Sequence, residues 1–314
     1  MLGLIRSKGL ARAVTGRVNV ALGARAASTV GGALDEAVER LPHKEAFRSI
    51  KQDLRWSYKE LDSFVQQVAN GLNSLHFQPG DVLAVWLPNN AENLVTHLAA
   101  AKAGLTLAVI DPEISSAEEV AFVLHDSKAS GILYEPKIAG RNNSAVVSEL
   151  FPELATYESR QEVFRPKQFR NLHAVISTNT DYEQGVIPFR EIMVNSPEPY
   201  TVAAMKKAVN EKTPLAVTYN RVAGQTPKKG ETLTHADILK RANDLAKSIS
   251  LTVEDKIVLT SEEQGLSLAP VAAIEKNAMV IIPSVEFDQE ALQYAMKVES
   301  PTVVGTGAAN FKRV

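Results

Sequence analysis

The chain has 314 residues, 45% of them hydrophobic and 22% charged, with a formal net charge of −2. Those values suit a globular protein of about two domains and exclude disorder, collagen or coiled coil as descriptions of the whole. The absence of cysteine removes disulfide scaffolds, thiolate nucleophiles and cysteine-bound metal, and the charge leaves no global basic field for nucleic acid.

The chain opens basic. Arg6, Lys8, Arg12, Arg17 and Arg25 all precede the first acidic residue, Asp35. The residues between them are mostly Ala, Gly, Val, Leu, Ser and Thr. This Arg-rich, acid-free composition is that of an organelle transit peptide, and arginine interrupts every stretch that could serve as a secretory h-region. Residues 1–28 are therefore expected to be a mitochondrial transit peptide. The expected location is the matrix side of the inner membrane, with an acidic mature chain.

From Trp56 onward the hydrophobic period is clear. Ser57 followed by Glu60 is a capping box, and Leu61, Phe64, Val65, Val68, Leu72 and Leu75 form one helical face. Pro79-Gly80-Asp81 is a turn. Residues 82–87 are a continuous apolar run, expected as a strand buried on both faces. A helix is predicted over 91–103, closed by Gly104, then a strand over 105–110, stopped by Asp111-Pro112. A third helix (116–126) and a third strand (129–134) follow. The longest apolar stretch, 94–110, contains His97 and Lys102 and is shorter than the ~20 residues a membrane span needs. No direct membrane span is expected.

Residues 135–200 are rich in proline and read as a surface connection, with a strand near 172–177 and a short helix near 189–193. From Pro214 the alternation resumes. A strand over 215–219 leads into a Gly/Pro/Lys loop, 220–230. Helices are predicted over 234–250, 266–277 and 287–298, and strands over 256–260, 278–282 and 302–304. Helices alternating with buried strands indicate parallel sheets covered by helices. The expected fold class is α/β, with two layered α/β units and mainly parallel sheets, one spanning 30–200 and the other 210–314.

The words of this pattern carry a resemblance. Trp56-Ser57-Tyr58-Lys59-Glu60-Leu61, Ala69-Asn70-Gly71-Leu72, Gly80-Asp81-Val82, Leu87-Pro88-Asn89 and Glu92 stand in order. Leu98 to Gly104, Asp111-Pro112 and Ser127-Lys128-Ala129 continue it. In this order and spacing the chain resembles the N-terminal part of the AMP-forming acyl-CoA synthetases, which are acyl-adenylate-forming enzymes. The resemblance implies the fold. It implies chemistry only where family motifs match, because these words are scaffold positions.

Members of that family wrap the phosphates of ATP with a Ser/Thr/Gly loop and a lysine. Residues further along bind adenine and magnesium, and a mobile C-terminal domain brings a lysine onto the acyl-adenylate. The resemblance places the phosphate loop at residues 218–235, with Thr218, Gly224, Thr226, Lys228, Lys229 and Gly230 as its vestigial phosphate-loop residues. Its centre departs from the family: Arg221, Val222 and Ala223 stand where Ser, Gly and Thr are usual. Glu231 adds a negative charge nearby. The segment 260–265 is polar and acidic where the family has an aromatic and histidine-bearing turn. On this reading residues 1–314 hold about the first half of the family's length.

Other chemistry has little support. The six histidines (43, 76, 97, 125, 173 and 235) show no metal-ligand spacing, so no metal site is expected. His235 reads as a neighbour of a helix cap. No catalytic residue, cofactor or small-molecule substrate is expected. These departures lead to the expectation of a degenerate, non-catalytic relative: a structural subunit of a large mitochondrial inner-membrane complex, with other protein subunits as partners. The ATP synthase peripheral stalk or dimer scaffold is the leading candidate. The alternative is an acyl-CoA synthetase-like enzyme, or a module binding nucleotide or acyl-CoA, that needs a second chain.

Overall fold

A computed structural model describes residues 27–157, 163–193, 199–260, 268–305 and 310–314. The expected transit peptide lies almost wholly outside the described residues. Thr29 caps α1 (Val30–Arg40), its hydroxyl accepting from the Gly32 N–H. β1 (Glu45–Ser49) and β2 (Leu54–Ser57) form a hairpin. Ser57 and Glu60 make the predicted capping box of α2 (Tyr58–Ser74). The alternation then appears as predicted, in β3 (Val82–Trp86), α3 (Ala91–Ala103), β4 (Thr106–Ile110), α4 (Ala117–Ser127) and β5 (Gly131–Tyr134). Gly104 ends α3 at φ 73°, left-handed backbone that glycine adopts without a Cβ penalty.

The described residues of the connecting stretch form more regular elements than its proline content suggests. A small hairpin of β6 (Lys137–Ile138) and β7 (Arg141–Asn142) leads into α5 (Asn143–Leu150) and a 3-10 turn, Pro152–Thr156. β8 (Ala174–Ser177), β9 (Ile187–Pro188), α6 (Phe189–Ile192) and α7 (Pro199–Lys207) follow. β10 (Pro214–Asn220) and β11 (Lys228–Thr234) are an antiparallel pair, so the second half of the expected loop is an edge strand. The chain continues through α8 (His235–Ser248), β12 (Lys256–Val258), α9 (Leu268–Lys276), β13 (Met279–Ile282), α10 (Gln289–Glu299), β14 (Val303–Gly305) and β15 (Phe311–Arg313).

Two sheets result. One has the order β11-β10-β4-β3-β5-β8-β9, parallel except at β10–β11. The other has the order β15-β14-β12-β13-β1-β2, parallel except at its two outer pairs. The sheets do not divide at residues 200–210 as the sequence suggests. β1 and β2 join the strands of the C-terminal half, while β10 and β11 extend the sheet of the N-terminal half. The cause is pairing: Phe47 to Ser49 lie in register beside Val280 to Ile282.

Alternating strand residues separate the layers. Leu83, Val85 and Leu107 from one sheet and Phe47, Ile257 and Val280 from the other share one core with α1, α2, α3, α8 and α9. Ala84, Trp86 and Ile132 point to the opposite face, toward α4 and α5. Met279 and Ile281 face Ala295 of α10. The middle helical layer carries a buried charge cluster, in which the fully buried Lys102 ammonium donates to Asp35 at 2.7 Å and also to Asp62. No helix of the described residues is long and apolar enough to cross a membrane. Residues 94–110 are divided between α3 and β4.

Candidate functional site

In open parallel sheets, ligands bind beyond the carboxyl ends of the strands. β3, β4 and β10 all end at the same edge, and the loop after β10 projects from it. Asp111, at the end of β4, organises that loop. Its N–H donates to the Tyr219 carbonyl at 3.0 Å, its Oδ1 accepts from the Glu113 N–H, and its Oδ2 accepts from the Arg221 N–H at 2.9 Å. The Arg221 side chain reaches Glu119 of α4 at 3.7 Å.

The loop tip is a turn closed by the Gln225 N–H on the Val222 carbonyl at 3.1 Å. Gly224 sits in it at φ 71°, and a Cβ there meets nothing within 4 Å. The tip is therefore open. Thr226 and Lys228 are exposed beside it, with Pro227 buried between them.

The expected site residues separate into two groups. Gly224, Thr226 and Lys228 share the exposed tip. Lys229 is turned back onto the sheet, pairing with Asp126 at 2.8 Å and lying 5.9 Å from the Tyr219 ring centre. The Tyr219 hydroxyl donates to the same carboxylate at 2.6 Å. The Lys229 and Tyr219 hydrogen bonds together hold the Asp126 carboxyl below its ordinary value. Thr218 and Gly230 pack on each other across the hairpin, since a Cβ on Gly230 would collide with the Thr218 hydroxyl. Their role is close strand approach.

Two features differ from the sequence-based picture. Glu231 does not lie free beside the tip: Arg241 holds it at 2.7 Å. His235, at the start of α8, accepts the Val30 N–H on Nδ1 at 3.1 Å, and burial pushes its imidazole down to about 4. It joins α8 to α1. Asp111 and Asp126 were missed as loop anchors. In the sequence Asp111 reads as a strand stop and as part of the family resemblance, and no local spacing links either residue to positions a hundred residues away.

A family model for AMP-binding enzymes matches residues 34–219, more than half of the chain. The chain belongs to the AMP-binding enzyme family. Among curated members, it is 24% identical over 282 residues to YngI of Bacillus subtilis (strain 168), named as an acyl-CoA synthetase, with 88% of this chain and 50% of YngI aligned. It is 28% identical over 218 residues to the mitochondrial medium-chain acyl-CoA ligase ACSF2 of Danio rerio, with 68% of this chain and 35% of the ligase aligned. The chain spans about half, or less, of the length of these relatives. Among solved structures it superposes on apo MbtA of Mycobacterium smegmatis with a TM-score of 0.69, at 20% identity over 88% of this chain and 47% of that one. The N-terminal domain of FACL13 from Mycobacterium tuberculosis gives 0.68 at 18% identity, over 89% of this chain and 63% of that one. These likenesses bear out the expected α/β fold, mainly parallel, of an acyl-adenylate-forming relative.

They also correct the functional expectation. The reading as a degenerate, non-catalytic subunit of an ATP synthase stalk or another inner-membrane complex has no support. The matched family consists of AMP-binding enzymes, and the relatives named here are acyl-CoA synthetases or ligases. The alternative, an acyl-CoA synthetase-like enzyme, is the reading these findings favour. In the folded chain Arg221 is a tether at the foot of the turn, and the tip remains open.

Proposed function

We propose that this AMP-binding family member acts as an acyl-CoA synthetase-like enzyme and contributes the N-terminal half of the catalytic fold. The reaction class is activation of a carboxylic acid by ATP to an acyl-adenylate, with release of pyrophosphate, followed by transfer of the acyl group to a thiol, which breaks the acyl–phosphate bond and releases AMP. The match of residues 34–219 to AMP-binding enzymes carries this reading. The open tip at the carboxyl edge of β10 supports it. Gly224 leaves space, and Thr226 and Lys228 supply a hydroxyl and an uncommitted ammonium for phosphate oxygens. Glu231, held by Arg241, does not oppose an anion there with a free charge.

A mitochondrial-matrix location belongs to the same proposal. The basic opening of the chain and the mitochondrial ligases among its relatives support it. Fractionation with N-terminal sequencing of the mature chain tests the location.

The deciding experiment is ATP–pyrophosphate exchange by the full-length protein with straight-chain acids of two to sixteen carbons. Acid-dependent exchange is expected. Folded protein that exchanges with no acid, and gains no thermal stability from ATP, overturns the proposal. Bound ATP at 100 times its Kd adds about 2.7 kcal/mol.

A further inference from the structure

The middle helical layer contains a small cavity unrelated to the hairpin loop. It is about 30 Å³ and lies between α3, α9 and β13. By this measure it has room for a water or a group of two or three heavy atoms. Leu94, Leu98, Val271, Val280 and Ile282 make its walls apolar, and among the described residues no Asp, Glu, Lys or Arg lines it.

Asn89, Asn90, Asn93 and His97 break that surface, and two of them carry unpaired atoms. Asn93 and His97, four residues apart, share one face of α3. Each is more than nine-tenths buried, at 8% and 6% exposure. The Asn93 amide donates to the Pro88 carbonyl at 3.0 Å, but its Oδ1 has no partner. His97 Nε2 also has none. Leaving a buried polar atom unpaired costs about 1–3 kcal/mol. Two such atoms on residues lining one cavity need a partner there, a water or a ligand hydroxyl, that supplies what both lack. Burial alone pushes the His97 imidazole down to about 4, so it is neutral near pH 7.

The cavity shares Asn89 and Asn93 with a larger crevice of about 340 Å³. That crevice opens at the carboxyl ends of β3 and β4, where the connections leave toward opposite faces of the sheet. Such a switch point is where ligands enter open α/β sheets.

We propose that the Asn93–His97 cavity binds the hydroxyl end of an uncharged, otherwise apolar ligand whose remaining atoms lie toward the crevice. A hydroxyl donates to the Asn93 carbonyl oxygen and accepts from a protonated Nε2, so it matches both orphaned atoms. A charged end group has no counter-ion among the described residues of the cavity, and its desolvation cost opposes its binding. This inference stands apart from the proposed reaction and does not depend on it.

The test titrates the full chain with 1-propanol and follows the His97 imidazole resonances by NMR. A saturable shift is expected, with affinity about tenfold weaker in Asn93→Leu, which corresponds to the loss of one hydrogen bond. Propionate of similar size is expected to give no shift at pH 7. A propanol-soaked crystal of the unmodified chain decides the matter without a variant, by placing the alcohol oxygen against Nε2. Water alone in the cavity at saturating propanol overturns the proposal. So does equal binding by propionate, or unchanged affinity in Asn93→Leu.

Discussion

The Arg221 backbone N–H and the Asp111 carboxylate are joined at 2.9 Å across 110 residues of chain. This bond fixes the foot of the hairpin loop to the end of the neighbouring parallel strand. Asp111 is buried and spends both carboxylate oxygens on backbone donors. Replacing it with alanine leaves two donors unpaired, and a loss of about 2–4 kcal/mol is expected. Protease cleavage within 221–227 should accelerate in Asp111→Ala. Unchanged cleavage would show that Arg221 does not depend on this anchor.

Lys228 and Lys229 are neighbours with different expected roles. Lys228 is exposed at the tip, whereas Lys229 is paired with Asp126. If the tip receives the phosphates of ATP, Lys228→Ala should raise the apparent Kd for ATP about tenfold, the loss of one charge-assisted bond. Lys229→Ala should change it less. Equal effects would mean that the hairpin does not hold its two lysines apart during binding.

The buried ammonium of Lys102 faces Asp35 and Asp62, while Lys206 also reaches Asp35. Lys102→Ala strands buried carboxylate charge, and a cost of about 3–5 kcal/mol is expected by urea unfolding. Combining Lys102→Met with Asp62→Leu should recover part of that loss, because the apolar pair removes the desolvated charges together. Failure of the double variant to recover would assign the cost to packing.

Acid should weaken the fold before the carboxylates titrate. His97 has a folded value of about 4, below its ordinary 6.5, and His235 shifts in the same direction to about 4. Below pH 6.5 the unfolded chain therefore takes up protons that the folded chain refuses. Stability is full above 6.5 and falls as pH drops toward 4. For His97 alone the whole window is worth about 3 kcal/mol. Urea midpoints at pH 7.5 and 5.0 should differ, and His97→Leu should narrow the difference.

Gly71 of α2 lies directly against the backbone of Ile192, and a Cβ there would overlap the Ile192 carbonyl. Gly71→Ala should cost about 3 kcal/mol, since backbone must move to admit it. Gly224→Ala meets no neighbour and should cost only about 1 kcal/mol, from the positive φ alone. Thermal unfolding of the two variants checks the ranking.

The parts of the fold visible in the sequence are those whose own period declares them. Ser57 and Glu60 announce α2, Gly104 closes α3, and 82–87 reads as a strand buried on both faces, which appears as β3. β11 was hidden because an edge strand bearing Lys228, Lys229 and Glu231 carries polar side chains in place of an apolar run, a common protection against wrong pairing. α1 was hidden within a small-residue opening, and its burial depends on distant partners such as His235. The loop itself was located, but not its anchors, because Asp111 and Asp126 meet it only through tertiary contact. The Asn93–His97 pair had appeared simply as part of an apolar helix. Only packing shows that Asn93 Oδ1 and His97 Nε2 are unpaired on residues that line a cavity.

The placement of β1 between β13 and β2 has a consequence for biosynthesis. A chain emerging from the ribosome makes β1 more than two hundred residues before the strand it must lie beside. Until β13 arrives, Ala46 and Phe47, both buried in the finished sheet, have only the β2 side of their hairpin to rest on. The unfilled edge is then a template for other extended segments. Dividing the gene near residue 200 makes this condition permanent in one fragment and leaves β13 unpaired on one side in the other. Fragments cut there should precipitate separately and become soluble when co-expressed, whereas a cut made just before residue 45 should leave the second sheet intact.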